Sequence, residues 1–408
     1  METRAICPVE DHSDVDKAMN ILLVHEISYL RDPVFEIHTI AELLSLRGHN
    51  VYFIDYGRER VDSLWSGYRE MDIARVYPGA SVRLIRPPFL KVPVAGRVVY
   101  SCMCYSIIYT TLQSRKIDAV ILYSAPTNGI QTILAARKSK VPVIFRSIDI
   151  LHKLVPDPLA LPTKLAEKWV YQHVDKILTI TPALSRYVVE LGANPAAVKL
   201  LPLGIDLKYY QHAPESATDR LWGKSSTIYH TLVFAGTLPR FSGLDVLISQ
   251  MPDLVTRIPN LRLLIIGDGV QRPLLEKQIR ELGLEEQVKL TGMVPHDDVP
   301  KWIAQADIGV LPFPMDGVTR DIFPTKVLQY MAQGKPVVAN QLPGLVDFGL
   351  GEEQGIVYVQ DGDWGEAIKK AVEDRMVLGE IARSYVVRNH GYDRMINQLE
   401  NEITELCG

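Results

Sequence analysis

Two cations and an acid stand close together in Arg320-Asp321-Ile322-Phe323-Pro324-Thr325-Lys326, directly ahead of an apolar repeat of helical period. Pro324 suits the first turn of a helix, because its φ is already helical and its missing N–H would have had no partner there. Val327, Leu328 and Met331 fall on one face of that helix. Gly334 can take the left-handed cap that ends it, and Pro336 bars its resumption before the short apolar strand Val337–Ala339. Arg320 and Asp321 lie on the loop from which the helix opens. Free amides from Thr325 onward, the positive end of the helix dipole and Lys326 then converge, and such a place binds phosphate.

A second pair of candidates, Asp149 and His152, lies in Ile144–Lys153, where the chain runs off an apolar strand. Ligands bind at the carboxyl edge of parallel sheets, so both residues qualify as catalytic groups. A hydrogen-bonded loop histidine with no chemistry is the competing reading.

The elements that must position these groups follow from the hydrophobic pattern. Short, nearly all-apolar strands alternate with helical stretches: Asn20–His25, Val51–Ile54, Ala119–Tyr123, Val143–Phe145, Lys176–Ile180 and Val198–Pro202. The alternation predicts a doubly wound parallel-sheet domain over 19–210, with helices on both faces. Polar, irregular residues 211–228 read as a linker. The pattern then restarts at Leu232–Ala235, Leu261–Ile266, Val288–Leu290 and Ile308–Leu311, which predicts a second such domain over 229–385. Final helices follow over Trp364–Met376 and about Leu378–Leu406, and residues 1–18 read as a loose polar extension.

Composition agrees with two globular domains: 408 residues, 47% hydrophobic and 23% charged. A net charge of −4 argues against nucleic acid as a partner. The four cysteines, Cys7, Cys102, Cys104 and Cys407, lack zinc-ligand spacing and read as reduced thiols of a cytoplasmic protein. Cys102 and Cys104 would share one face of a strand. No Asp-x-Asp cluster stands near the candidate site, so no metal is expected.

Two stretches stay open. In Val82–Tyr100, Arg83, Arg86, Lys91 and Arg97 are interleaved with Leu84, Ile85, Phe89, Leu90 and Val92. The mixture suits a peripheral contact with a membrane surface or a lipid-phosphate acceptor; the competing reading is a buried strand with solvated charges. The loop Glu26–Pro33 either presents Tyr29 and Arg31 to a ligand or is an ordinary connection.

The stretch from Asp321 resembles the most informative motif of retaining glycosyltransferases of the GT4 family, which have the GT-B fold. That motif has two acids eight positions apart, then A-M-A or Y-M-A and G-K/x-P-V-V-A. Here the positions hold Asp321 and Gln329, followed by Tyr330-Met331-Ala332 and Gly334 to Ala339. Arg47-Gly48-His49-x-Val51, Thr181-Pro182-Ala183 and Leu203-Gly204-Ile205-Asp206 resemble further family fragments in the family's order. The loop Gly236-Thr237-Leu238-Pro239-Arg240-Phe241-Ser242-Gly243 resembles G-R-L-x-x-x-K-G, with Thr237 and Ser242 where the family holds cations on the donor diphosphate; Arg240 is displaced within the loop. Gly267-Asp268-Gly269 resembles the turn that closes near the nucleotide, and Gly292-Met293-Val294 the segment that holds the base.

The resemblance implies two Rossmann-like domains facing a cleft, with a last helix, 386–408, crossing back to the first. It implies a donor nucleoside-diphosphate sugar held by the second domain: base near Gly292–Val294, ribose at Gln329, diphosphate at Pro324, Thr325, Lys326, Arg240 and Arg320. Asp321 would face the sugar. The first domain would hold a hydroxyl acceptor, a glycan, a small molecule or a lipid-linked one. Alternatives are a non-catalytic partner subunit of the same fold, or another GT-B enzyme such as a nucleotide-sugar epimerase or a phosphorylase.

Overall fold

The computed structural model describes residues 18–408 apart from 33, 57–64, 91, 93–94, 211–221, 223–227, 317–318 and 321–322. Residues 1–17 of the 1–18 extension, Cys7 among them, most of the 211–228 linker, part of Val82–Tyr100 and Asp321 therefore lie outside the described residues.

The first domain is built on an eight-stranded sheet. Its spatial order is β10 (Val198–Leu200), β9 (Lys176–Thr179), β8 (Val143–Ser147), β7 (Ala119–Leu122), β1 (Asn20–Val24), β2 (Asn50–Ile54), β5 (Val82–Arg86) and β4 (Arg69–Ile73). All neighbours are parallel except β4 and β5. A two-stranded ribbon of β3 (Trp65–Ser66) and β6 (Phe89–Leu90) stands apart. The apolar strands serve two cores because successive side chains point to opposite faces. Leu22 and Val24 face a core under α2 (Ala95–Ser114), α3 (Gly129–Ser139), α4 (Asp157–Tyr171) and α5 (Pro182–Glu190). Ile21 and Leu23 face the other, under α1 (Glu36–Leu46).

The second domain has a six-stranded, all-parallel sheet. Its order is β13 (Val288–Leu290), β12 (Leu261–Ile266), β11 (His230–Ala235), β14 (Ile308–Leu311), β15 (Val337–Ala339) and β16 (Ile356–Tyr358). Its helices are α6 (Leu244–Arg257), α7 (Arg272–Glu281), α8 (Val299–Ala304), α9 (Thr325–Ala332), α10 (Pro343–Val346), α11 (Trp364–Glu373) and α12 (Arg375–Asn389). The last helix, α13 (Tyr392–Cys407), leaves this domain and buries Met395, Ile396, Leu399 and Ile403 in the first domain's core with Ile21 and Leu23.

Four sequence expectations are decided here. The continuous helix from Leu378 is broken at His390–Gly391, where Ile205 N–H donates to the His390 carbonyl and Tyr392 N–H to the Ile205 carbonyl. Cys102 and Cys104 lie on a helix, not a strand, so one is exposed and the other buried. In Val82–Tyr100 the described arginines are already matched: Arg83 to Asp72, Arg86 to Asp55 at 2.7 Å inside the core, and Arg97 to Glu26 at 3.5 Å. Cations held this way are not free to meet headgroups, so the buried-strand reading fits β5 and the membrane reading loses its charges. Tyr29 also turns inward: it is fully buried and its hydroxyl donates to Glu42 at 3.0 Å. Arg31 alone of that loop pair remains exposed. Among the described residues, no helix is long and apolar enough to cross a membrane.

Candidate functional site

The helix α9 is set by its ends. At its finish Gly334 has φ +66°, its N–H donates to the Met331 carbonyl, and Lys335 N–H donates to that of Tyr330. These two bonds are the paired left-handed cap anticipated at that glycine. At its start Pro324 sits one position earlier than anticipated. Its ψ of 115° is extended, so it is the cap residue and Thr325 opens the helix. Among the described residues no side chain caps this end. The amino end of the helix, where the sequence places a phosphate, thus has no side-chain cap among the described residues.

Lys326 leaves the first turn and runs back over β11. Its ammonium lies 3.2 Å from the point that a Cβ on Gly236 would occupy. It stands 3.8 Å from the ring centre of Phe234 and 4.6 Å from that of Phe313. The two ring faces favour the cation, but no carboxylate among the described residues pairs with it. Burial pushes its ammonium down to about 7. A side chain at Gly236 would crowd this ammonium, and the φ of +136° is one that glycine alone adopts readily.

Three glycine loops are layered at this sheet edge. Gly236 N–H donates to the Ile266 carbonyl, Leu238 N–H to that of Asp268, and Gly267 N–H to that of Gly292. A Cβ on Gly267 would lie 1.9 Å from the Gly236 carbonyl oxygen, and one on Gly269 2.5 Å from that of Leu238. These glycines therefore let backbone pack on backbone, and they shape the floor beneath Lys326. Thr237 and Arg240 are exposed on the first loop. Met293 is 74% exposed at the third, beside the half-buried Val294.

Ser242 departs from the position assigned to it. It is fully buried, its hydroxyl donates to the Gln271 side chain, and it accepts from Leu244 N–H at 3.3 Å. Its hydroxyl is spent between Gln271 and the first amide of α6 and has nothing to offer a phosphate. Gln329 is half-buried with its side chain beside the Tyr210 hydroxyl. Arg320 is exposed, and its carbonyl accepts from Gly344 N–H at 3.0 Å. Thr325 is exposed at the mouth.

In the first domain, Ile148 and Ile150 pack against the hydrophobic cluster that joins Ile180, Leu184 and Leu203 to the second domain's core, and Asp149 and His152 flank them in sequence. Asp149 is open to solvent along part of its surface, yet protein crowds its carboxyl, and this burial pushes it up to about 6. It has no partner among the described residues. His152 is held from behind. Its Nδ1 lies 2.8 Å from Glu167, a carboxylate with no exposure, which also accepts from Leu151 N–H at 2.9 Å and the Tyr187 hydroxyl at 3.2 Å. With a carboxylate as its partner, Nδ1 carries a proton and donates, and Nε2 lies on the other side of the ring.

Sequence reading missed Glu167, the Phe234–Phe313 box and the role of Tyr330. Tyr330 is buried and its hydroxyl accepts from Ala235 N–H at 2.7 Å, which pins α9 to the end of β11. A carboxylate on the buried stripe Thr163–Glu167–Val170 of α4 is a signal that sequence carries. Nothing in the sequence pairs two phenylalanines 79 residues apart. Among the described residues, no three His, Cys, Asp or Glu side chains are grouped to hold a metal ion.

Two parallel-sheet domains with a bridging last helix, and a nucleotide-type edge on the second, define a GT-B architecture. Residues 36–204 match the family described as glycosyl transferase 4-like domain, and residues 229–375 that described as glycosyl transferases group 1. The chain belongs to the GT4 glycosyltransferases. In fold it is similar to sucrose-phosphate synthase from Thermosynechococcus elongatus, with a TM-score of 0.72 at 17% identity over 95% of this chain and 99% of that one. It is also similar to Anabaena Alr3699/HepE, with a TM-score of 0.69 at 16% identity over 95% and 100%. In sequence it is 25% identical to the D-inositol 3-phosphate glycosyltransferase of Corynebacterium aurimucosum, over 62% of this chain and 63% of the relative. It is 29% identical to the GDP-mannose-dependent alpha-(1-6)-phosphatidylinositol monomannoside mannosyltransferase of Mycolicibacterium smegmatis, over 47% and 50%. The matches thus span half to under two thirds of these relatives' length.

Proposed function

We propose that this protein transfers a sugar from a nucleoside-diphosphate sugar to a hydroxyl acceptor with retention of anomeric configuration. The observation that carries the reading is Lys326: an ammonium without a carboxylate partner among the described residues, laid over Gly236 beside the uncapped start of α9. An unpaired, crowded cation next to free amides is stabilised by an arriving diphosphate. Support comes from relatives that use GDP-mannose and from HepE, which was solved with UDP and with UDP-glucose.

The acceptor oxygen would form a bond to the anomeric carbon on the face from which the diphosphate oxygen departs. The acceptor's proton passes to that departing oxygen. Lys326 and the α9 amides hold the growing charge, with Arg240 and Arg320 at the rim, and the reading calls for no metal. Asp321 would hold sugar hydroxyls, Gln329 the ribose, and Gly292–Val294 the base. Asp149 and His152 would line the acceptor side. Closure of the domains would keep water from taking the sugar.

A thermal-shift series with UDP, GDP and their sugars tests this. One nucleoside diphosphate should raise the melting temperature, and Lys326→Ala should remove the rise. If no nucleoside diphosphate stabilises the protein, the chain is a non-catalytic member of its family.

A further inference from the structure

Beyond the cleft, the helix α4 carries an outward face that its own fold does not use. Its buried stripe is Thr163, Glu167, Val170 and Tyr171. On the opposite side Leu161 is 67% exposed and Leu165 59% exposed, four residues apart and so one above the other. Leu154, in the turn leading into the helix, is 64% exposed. Large aliphatic side chains so open, and so close in sequence, are a cost unless something covers them.

Charge says what covers them. Lys164 and Lys168 are also four residues apart, each three residues on from Leu161 and Leu165, and Lys153 stands next to Leu154. All three lysines are exposed and none has an ion-pair partner among the described residues. Asp157 is the single exposed acid between Lys153 and Tyr171. The chain as a whole is negative, at −4, so this face opposes the average. The arginines of Val82–Tyr100, by contrast, are spent on Asp72, Asp55 and Glu26.

We propose that the outward face of α4, with the turn that leads into it, docks on an anionic lipid bilayer. The leucines enter the headgroup boundary and the lysines meet lipid phosphates; neither anchor holds well alone, and together they do. Lys153 directly follows His152, so docking sets the first domain's side of the cleft at the headgroups. The acceptor is then a membrane-held hydroxyl, a step that rests on the sugar-transfer reading, whereas the docking does not.

The test is co-sedimentation of the full chain with phosphatidylcholine vesicles, with and without phosphatidylglycerol, at low and high salt. The protein should pellet with the anionic vesicles alone and be released by salt. Leu161→Ser with Leu165→Ser should cut binding by about tenfold or more. Lys164→Gln and Lys168→Gln should each cost about fivefold. Melting temperatures and any nucleotide-induced shift should match the wild type in all three variants, because these side chains face solvent. Wild-type protein left in the supernatant, or variants that pellet as the wild type does, overturn the docking. So does a leucine variant that turns a wild-type dimer into a monomer without vesicle binding, since a second copy then covers the face. A missing nucleotide shift with intact vesicle binding overturns the sugar-transfer reading instead.

Discussion

Lys326 is held at a cost that the empty protein bears. Its ammonium is pushed down to about 7 from 10.5. Below the lower value the lysine is charged in both folded and unfolded states, and the folded state carries the full desolvation penalty. Between the two values the unfolded chain binds more protons, so stability rises with pH and the penalty fades. Lys326→Met should therefore melt higher than the wild type, most clearly near pH 6, with the gap closing as pH approaches 10. Melting curves across that range check it; a gap that widens with pH contradicts the assignment. The same amine must regain a proton to meet a diphosphate. At pH 8, nucleotide binding should take up as much as about one proton, read by calorimetry in buffers of different ionisation enthalpy. Beside it, Tyr330→Phe should cost about 1–3 kcal/mol in urea melts, because Ala235 N–H is left buried without an acceptor. The sequence showed Lys326 because its neighbours set a helix start, a local matter. It did not show that Ser242 is spent, because that depends on Gln271, 29 residues away.

Among elements, the legible ones were those buried on both faces. Strands such as β1 and β12 are unbroken apolar runs because helices cover each side. The edge strand β4, Arg-Glu-Met-Asp-Ile, was not legible: it pairs antiparallel to β5 and alternates only weakly. The placement of α4 was likewise out of reach, although its buried Glu167 was in view. That carboxylate reaches across to the 3₁₀ turn Leu151–Lys153 and binds it through two backbone amides and the His152 ring. Glu167→Gln keeps the size but replaces one acceptor oxygen with a donor. The histidine then loses its reason to keep the proton on Nδ1, and the turn loosens. Glu167→Gln should lower kcat for sugar transfer by about tenfold or more, as expected for a lost charge-assisted bond to a positioned group. Its donor-induced melting shift should persist, since the proposed donor contacts lie on the other domain. An unchanged kcat with a normal melting temperature would leave Glu167 a purely structural acid.

At the scale of the molecule, the domains are joined twice, through the linker region and through the crossover into α13. The crossover is tight because Leu203-Gly204-Ile205-Asp206 lies against it. His390 Nδ1 approaches the Leu203 carbonyl at 2.9 Å, and a Cβ on Gly204 would lie 2.5 Å from the Tyr392 ring. Past that point α13 is fastened to the first domain by charge: Glu402 to Lys199 at 2.8 Å, and Glu400 to Arg47 at 2.6 Å and His49 at 3.0 Å. These pairs are partly exposed and individually weak. The apolar face of α13 and the Gly204 contact do more to set the angle at which the second domain meets the first. Gly204→Ala forces the Tyr392 ring aside and should cost about 1–3 kcal/mol, the usual range for overpacking. Its more telling effect is on coupling. The wild type should unfold in urea with one transition seen alike by tryptophan fluorescence and circular dichroism. In Gly204→Ala the two probes should separate, because the domains no longer hold each other. If sugar transfer needs the cleft to close on this hinge, kcat should fall in step with that separation while nucleotide affinity stays put. A variant that unfolds as one unit and keeps its kcat would show that the interdomain angle is fixed elsewhere, at contacts such as Arg186 with Asp347.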